Sequence, residues 1–212
     1  MSELKDRPYH HGDLRRALIG TALAMLAEDQ NWAFTLREVA RRTGVSHAAP
    51  YKHFRDREEL LRALARIGFV WLGQALSAAM TAEQASSRQT FRAGALACID
   101  FALRNPGLYR LMFSSDADKK MDPQLHDAAM ETFGILLKLL EEGQRNGSFR
   151  AVALNALAAA SWAQVHGLAM LAISGQLLEE KVGPEPVCAA LDVLLDGLCR
   201  PQEPDSHLAS RR

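Results

Sequence analysis

Cysteine is scarce in this chain: three among 212 residues, at positions 98, 188 and 199, an odd number with no Cys-x-x-Cys pair. That argues against a disulfide framework and against a cysteine metal cluster, and it fits a reducing cytoplasm in which the thiols act as small buried hydrophobes; a redox-sensing cysteine is the other reading. Neither sign of charge is in excess, with 25 Lys and Arg against 25 Asp and Glu. A protein whose whole surface met a polyanion would not be neutral. The opening Met-Ser-Glu-Leu-Lys-Asp-Arg-Pro has no apolar core, so no secretory signal is expected. Also missing are a glycine-rich phosphate loop, a nucleophile elbow, and any His-x-x-x-His or Glu-x-x-His pair that would place two ligands on one helix face. Strand-like alternation is absent too, and the apolar residues recur at helical spacing instead. The expected fold is all-α.

What the chain does contain is concentrated between residues 35 and 54. Thr35 is followed three residues later by Glu38, the spacing of a capping box in which each side chain serves the other's backbone N–H. Leu36, Val39 and Ala40 then form the inward face of a short helix. Thr43-Gly44-Val45 is the turn, with Gly44 free to take a positive φ. Ser46 is placed to cap a second helix, running to Phe54, whose Tyr51 and Phe54 share a face while His47, Ala48, Ala49, Lys52 and His53 are left to meet a partner. A third cap follows at Asp56, with Glu59 at its N3 position. Two short helices joined by a three-residue turn are the layout that sets one helix in a DNA major groove. An ordinary helical hairpin is the plainer alternative, and the ordered series of caps, glycine turn and Tyr-Lys-His helix favours the DNA-binding one.

These residues resemble the TetR/AcrR family of bacterial regulators. The match runs from Tyr9-His10-His11-Gly12-Asp13-Leu14-Arg15 through Phe34-Thr35-Leu36-Arg37-Glu38-Val39-Ala40 and Gly44-Val45-Ser46 to Tyr51-Lys52-His53-Phe54 and Glu59-Leu60-Leu61. Asn105-Pro106-Gly107-Leu108-Tyr109-Arg110-Leu111-Met112-Phe113 and Trp162-Ala163-Gln164-Val165-His166-Gly167 look like the subset with a WHG-type C-terminal domain. Two departures stand out: Arg57, where the family usually has Lys opening the next helix and where Arg keeps the charge for phosphate binding with a different contact geometry, and Pro50, in the first turn of the recognition helix, where its missing N–H would be an orphan anyway although its ring can crowd the Ser46 carbonyl.

The implied architecture is a three-helix helix-turn-helix head over residues 1–67, a helical effector-binding and dimerisation body over 68–200, and a disordered tail over 201–212. Charge supports the division. Residues 1–67 carry 12 Lys and Arg against 9 Asp and Glu, and residues 68–212 carry 13 against 16. Helices are expected from about Asp13 to Glu28, Arg57 to Met80, Arg88 to Leu103, Leu108 to Phe113 and Pro123 to about Gly143, with Trp32 and Phe34 as a core plug. Ala151 to Leu178 contains no Asp, Glu, Lys or Arg, yet its polar interruptions and many alanines argue against a membrane span. Its small residues Ala156, Ala160, Ala163, Gly167 and Ser174 form a stripe. With Val187, Leu191, Leu194, Leu195 and Leu198 of the last helix, that stripe is read as half of an intermolecular four-helix bundle. The resemblance implies the same homodimer through the last two helices, about 151–178 and 184–199. Packing within one chain is the alternative.

On this reading the partner is a palindromic double-stranded DNA operator. Thr35, Ser46, Tyr51, Lys52, His53 and Arg57 are expected at phosphates, and His47, Ala48, Ala49 and Pro50 at base edges. Tyr9-His10-His11 with Lys5 and Arg7 is either an arm along the DNA backbone or a frayed tail. A small-molecule effector cavity is expected to be lined by Phe101, Tyr109, Met112, Phe113, Phe133, Trp162 and Met170, with Arg110, His126, Gln164 and His166 as its polar groups; for each of these, plain core packing is the competing role. No cofactor, metal or enzymatic activity is expected. The rivals are a helical enzyme or metal protein, and a helix-turn-helix adaptor without an effector.

Overall fold

The computed structural model describes residues 11–81, 86–118, 120 and 122–199. The tail over 201–212, the candidate arm at Tyr9 and His10, and most of the linker after Thr81 lie outside them. Among the described residues the regular elements are all helices: α1 (His11–Asp29), α2 (Leu36–Thr43), α3 (Arg57–Thr81), α4 (Ser87–Arg104), α5 (Pro106–Met112), α6 (Pro123–Arg145), α7 (Leu154–Ile173), α8 (Glu179–Val182) and α9 (Pro186–Leu198). Extended pairing is limited, among these residues, to an isolated bridge between Phe149 and Cys199. The all-α expectation is met. The one-turn α8 had no forerunner in the sequence pattern, because four residues show no period.

Two compact units emerge. The first joins residues up to Trp71 with Arg104–Met130, and the second joins Leu72–Leu103 with the chain from Glu131 onward. This grouping differs from a division after residue 67, because α5 packs on α1. Gly107 makes that contact possible: a Cβ there would stand 2.6 Å from the Leu26 carbonyl oxygen, which as backbone cannot yield. The core of the first unit is built from Leu18, Ala22 and Leu26 of α1, Val39 and Ala40 of α2, Leu60, Leu61 and Leu64 of α3, and Leu111 and Met112 of α5, all buried.

In the second unit, α6 ends where the Phe149 ring folds back against Gly143. The ring is fully buried, meets Phe91 edge-on with centroids 6.3 Å apart, and lies 2.0 Å from where a Cβ on Gly143 would be. The segment 149–152 is secured by its surroundings: Arg150 N–H donates to the Leu198 carbonyl, and the Gln144 side chain donates to the carbonyls of Arg150 and Val152. Helices α7 and α9 pack on one another, with Gln164 donating to the Ala190 carbonyl at 2.8 Å.

Here the expectation for α9 needs correcting. Leu191, Leu194, Leu195 and Leu198 are buried within their own chain, so they are not available as an intermolecular face; their three- and four-residue spacing marks the inward side of α9. What points outward is Val193, 72% exposed, together with Ala156, Ala160 and Ala163 of α7 and Trp162, 47% exposed. Both α7 and the Arg57–Met80 stretch of α3 are long and apolar enough to cross a membrane by length and composition alone. Each supplies residues to a core here.

Replacing Gly143 by Ala should lower stability by about 1–3 kcal/mol, since the clash is with a packed ring, and Phe149→Ala should cost about 3–5 kcal/mol through the cavity it leaves. Denaturant midpoints at unchanged slope check both. A Gly143→Ala variant as stable as the parent would show that the ring moves aside freely.

Candidate nucleic-acid interface

Helix α2 is fixed at both ends by its own sequence. At its start the Glu38 N–H donates to Thr35 Oγ1 at 3.2 Å, while the Thr35 N–H donates to Glu38 Oε2 at 2.6 Å, completing the capping box. At its end Gly44 takes φ 77° and ψ 29°, and its N–H turns back to the Ala40 and Arg41 carbonyls. The N–H of Val45 also reaches the Ala40 carbonyl, so the Ala40 and Arg41 carbonyls at the end of α2 both find donors. The inner face of Leu36, Val39 and Ala40 is buried, as the periodicity required.

The segment after the turn differs from the expected helix. Residues 47–49 form a turn and a bend, and only Pro50–Lys52 is helical, as a single 3₁₀ turn. Pro50 is the cause. It has no N–H to return to the Ser46 carbonyl, which accepts from the Ala49 N–H at 2.9 Å instead. The Pro50 carbonyl then accepts from both His53 and Phe54 N–H groups at 2.9 Å. Ser46 does not cap this element; the cap position is Ala49, without a side-chain bond.

Burial sorts the sequence-predicted residues. Ser46, His47, Ala48, Tyr51 and Lys52 are exposed, as is Thr35; Ala49 and His53 are half-buried. Pro50 is buried, which removes it from the base-reading set: its ring has turned inward beside α2. Phe54 is fully buried and anchors the far end of the segment, with the Arg15 guanidinium 5.1 Å above its ring. The third cap forms as Asp56 Oδ1 accepts from the Glu59 N–H at 2.7 Å, but the Glu59 carboxylate reaches Arg55 N–H rather than the Asp56 N–H.

The nearby cations separate into two groups. Arg42 pairs with Glu28, Arg55 with Asp56 at 3.0 Å, and Arg62 lies 3.8 Å from Asp56. Arg57, half-buried, donates from Nε to the Phe34 carbonyl at 2.9 Å and from Nη2 to the Trp32 carbonyl. Arg37, Arg41 and Lys52 are exposed. Trp32, expected as part of a core plug, is half-buried, and its indole N–H donates to Asp116 Oδ2 at 2.6 Å. Phe34 is buried as expected. The sequence carries no signal for the Trp32–Asp116 pair, whose members are 84 residues apart.

The eleven residues expected around an effector divide between the two units. In the first, Tyr109 and Phe113 have ring centroids 5.0 Å apart; Met112 is buried, Arg110 half-buried, and His126 exposed, so it lines no enclosed space. In the second, the Trp162 ring lies 6.1 Å from Phe133 and 6.0 Å from His166. Burial holds the His166 imidazole below its ordinary range, keeping it neutral at pH 7. Phe101 is buried and Met170 half-buried, while the Gln164 amide is engaged with α9. Among the described residues no three His, Cys, Asp or Glu side chains gather as a metal site would require.

Glu38 carries a testable pH dependence. Its carboxyl is held below the usual 4.5 by the backbone N–H of Thr35 first and the Thr35 hydroxyl second. A depressed folded-state value means that the cap stabilises α2 above pH 4.5 and is lost as pH falls through the lowered value. NMR titration should place the Glu38 carboxyl below 4.5 and shift it upward in Thr35→Ala. An unmoved midpoint would discount the hydroxyl.

Comparison with known proteins accords with this geometry. Residues 18–64 match the family model for bacterial regulatory proteins of the tetR family, and residues 91–198 match that of the tetracyclin repressor-like C-terminal domain. A Rhodococcus sp. RHA1 protein of unknown function is 37% identical over 92% of this chain and 100% of its own, with a TM-score of 0.80. The TetR-family regulator PfmR from Thermus thermophilus has a TM-score of 0.65 at 22% identity, covering 86% and 99% of the two chains. A TetR-family regulator from Marinobacter aquaeolei VT8 gives 0.65 at 18%, over 88% and 96%. With both halves matched and the capped helix-turn motif in place, the chain belongs to the TetR family of DNA-binding transcription regulators.

Proposed function

We propose that this regulator is a cytoplasmic homodimeric repressor of a palindromic operator, released when a small molecule binds its body. The observation that carries the DNA half is the outward row of Ser46, His47, Ala48, Tyr51 and Lys52, suspended between the Gly44 turn and the buried Phe54. Lys52, Tyr51, Thr35 and Ser46 supply the cation and hydroxyls that suit phosphate oxygens. His47, with Ala48 and the partly covered Ala49, meets base edges: the imidazole donates to a guanine and the alanine methyls touch thymine. The exposed Arg37 and Arg41 add positive field to the same head.

Dimerisation is supported by the outward face of α7 and α9, where Ala156, Ala160 and Ala163 allow close helix approach beside Trp162 and Val193. A twofold pair then asks for a palindromic operator. The aromatic group of Phe133, Trp162 and the neutral His166 supports an effector with an apolar or aromatic body. That molecule lowers DNA affinity only if it binds better to a body conformation that disfavours the operator.

Duplexes selected from random fragments by the purified protein should be palindromic. On such a duplex Lys52→Ala should weaken binding to all sequences alike and reduce the slope of log K against log salt by about one unit. Sedimentation of the free protein should give a dimer that Val193→Glu shifts to monomer. Failure to retain any duplex at low ionic strength would end the DNA reading, and a monomeric parent would end the dimer.

A further inference from the structure

Arg57 does not present itself as a DNA contact. Its Nε donates to the Phe34 carbonyl at 2.9 Å, its Nη2 to the Trp32 carbonyl, and its Nη1 lies 3.7 Å from a Glu58 carboxylate oxygen. Each of its three nitrogens therefore has a partner in the protein. The planar fork of a guanidinium suits two carbonyls held two residues apart, and the single ammonium of a lysine does not reproduce it. The carbonyls belong to the stretch that leads into α2, immediately before the Thr35 cap. Arg57 itself opens α3, three residues after the buried Phe54 that ends the recognition segment. One side chain thus ties the entrance of α2 to the exit of the segment that follows it.

Trp32 extends this tie. While its carbonyl accepts from Arg57, its indole N–H donates to Asp116 Oδ2 at 2.6 Å in the loop after α5. An indole offers a donor only, so a carboxylate is a matched, charge-assisted partner. On either side of this loop, α5 and the start of α6 are held within the same unit. Helix α5 rests on the end of α1 through Gly107, with no room for a Cβ, and Arg66 of α3 donates to Gln124 in the first turn of α6.

We propose that Trp32 is the pivot through which the loop after α5 sets the position of the DNA-binding segment, with Arg57 and Asp116 acting as positioning residues and not as phosphate contacts. This rests on the DNA-binding reading given above. A displacement of Asp116 pulls on the indole, and Arg57 carries it to both edges of the head's outer face at once.

The test compares Arg57→Ala, Arg57→Lys and Lys52→Ala on a duplex selected by the parent protein, measuring affinity across a salt series. Arg57→Ala and Arg57→Lys should both weaken binding by about fivefold at unchanged salt slope, the loss expected when a hydrogen-bonded support is removed. Lys52→Ala should lower the slope by about one. Asp116→Ala should weaken binding by a similar factor, and Asp116→Asn, whose amide oxygen still accepts, should restore it. Full affinity in Arg57→Lys together with a slope reduced by about one in Arg57→Ala would make Arg57 a phosphate contact and overturn the proposal.

The link also has a readout without DNA. In a tryptophan-labelled NMR spectrum, assigned with Trp32→Phe, the Trp32 indole N–H should shift and exchange faster in Asp116→Ala, with far-UV circular dichroism unchanged. An unmoved indole signal would remove the Asp116 link by itself, whereas a parent protein that binds no duplex would remove the DNA reading and leave the indole result standing.

Discussion

An eight-residue helix has too few turns to persist in water, and α2 exists because Leu36, Val39 and Ala40 are buried beneath it. That burial is the reference for the whole outer face of the head. The Thr35 cap begins where the apolar face begins, and Gly44 reverses the chain where it ends. From there the backbone crosses the surface until Phe54 plugs the core again, so Ser46 to Lys52 hangs between two anchored points, with all but Ala49 and Pro50 exposed. Burying three side chains of this size contributes several kcal/mol, more than any single hydrogen bond on the surface above them.

Pro50 gives this segment its local character. Without an N–H it cannot continue an α-helical ladder from Ser46, and the backbone answers with a turn and one 3₁₀ turn. The missing donor costs nothing in unsatisfied groups, because the Ala49 N–H takes the Ser46 carbonyl. The buried proline ring adds apolar contact in return, and the short 3₁₀ element packs against α2. A regular helix would have rotated a different set of residues outward. The surface offered here starts at Ser46 and continues through His47 and Ala48 on the turn itself.

Electrostatics around the head follow a similar division between internal and external duties. Seven cations lie in or beside the motif in sequence, but Arg42, Arg55 and Arg57 have partners within the protein, and Arg62 approaches Asp56. The exposed pairs among these, Arg42 with Glu28 and Arg55 with Asp56, add little to stability and are screened by salt. Their effect is to offset part of the positive charge, since Arg42 and Arg55 stay exposed but sit beside carboxylates, while Lys52, Arg37 and Arg41 are exposed as well.

Much of the head could be read directly from its residues, because caps and helical periods involve groups no more than four positions apart. Thr35 with Glu38, Gly44 at the turn, Asp56 before α3 and the inward face of α2 were all legible in this way. The departures have equally physical causes. Pro50 was visible, but whether a 3₁₀ turn or a kinked helix follows depends on the ring finding a buried place against α2. The leucines of α9 show that an apolar period marks a buried side without saying whether it is buried by the same chain or by another. The sequence by itself determined the helical class, the capped motif and the family, since local backbone chemistry suffices for these. Only the tertiary structure decided that Arg57 turns inward, that Trp32 finds Asp116 84 residues away, and that Phe149 lies on Gly143, because such contacts depend on where distant helices come to rest.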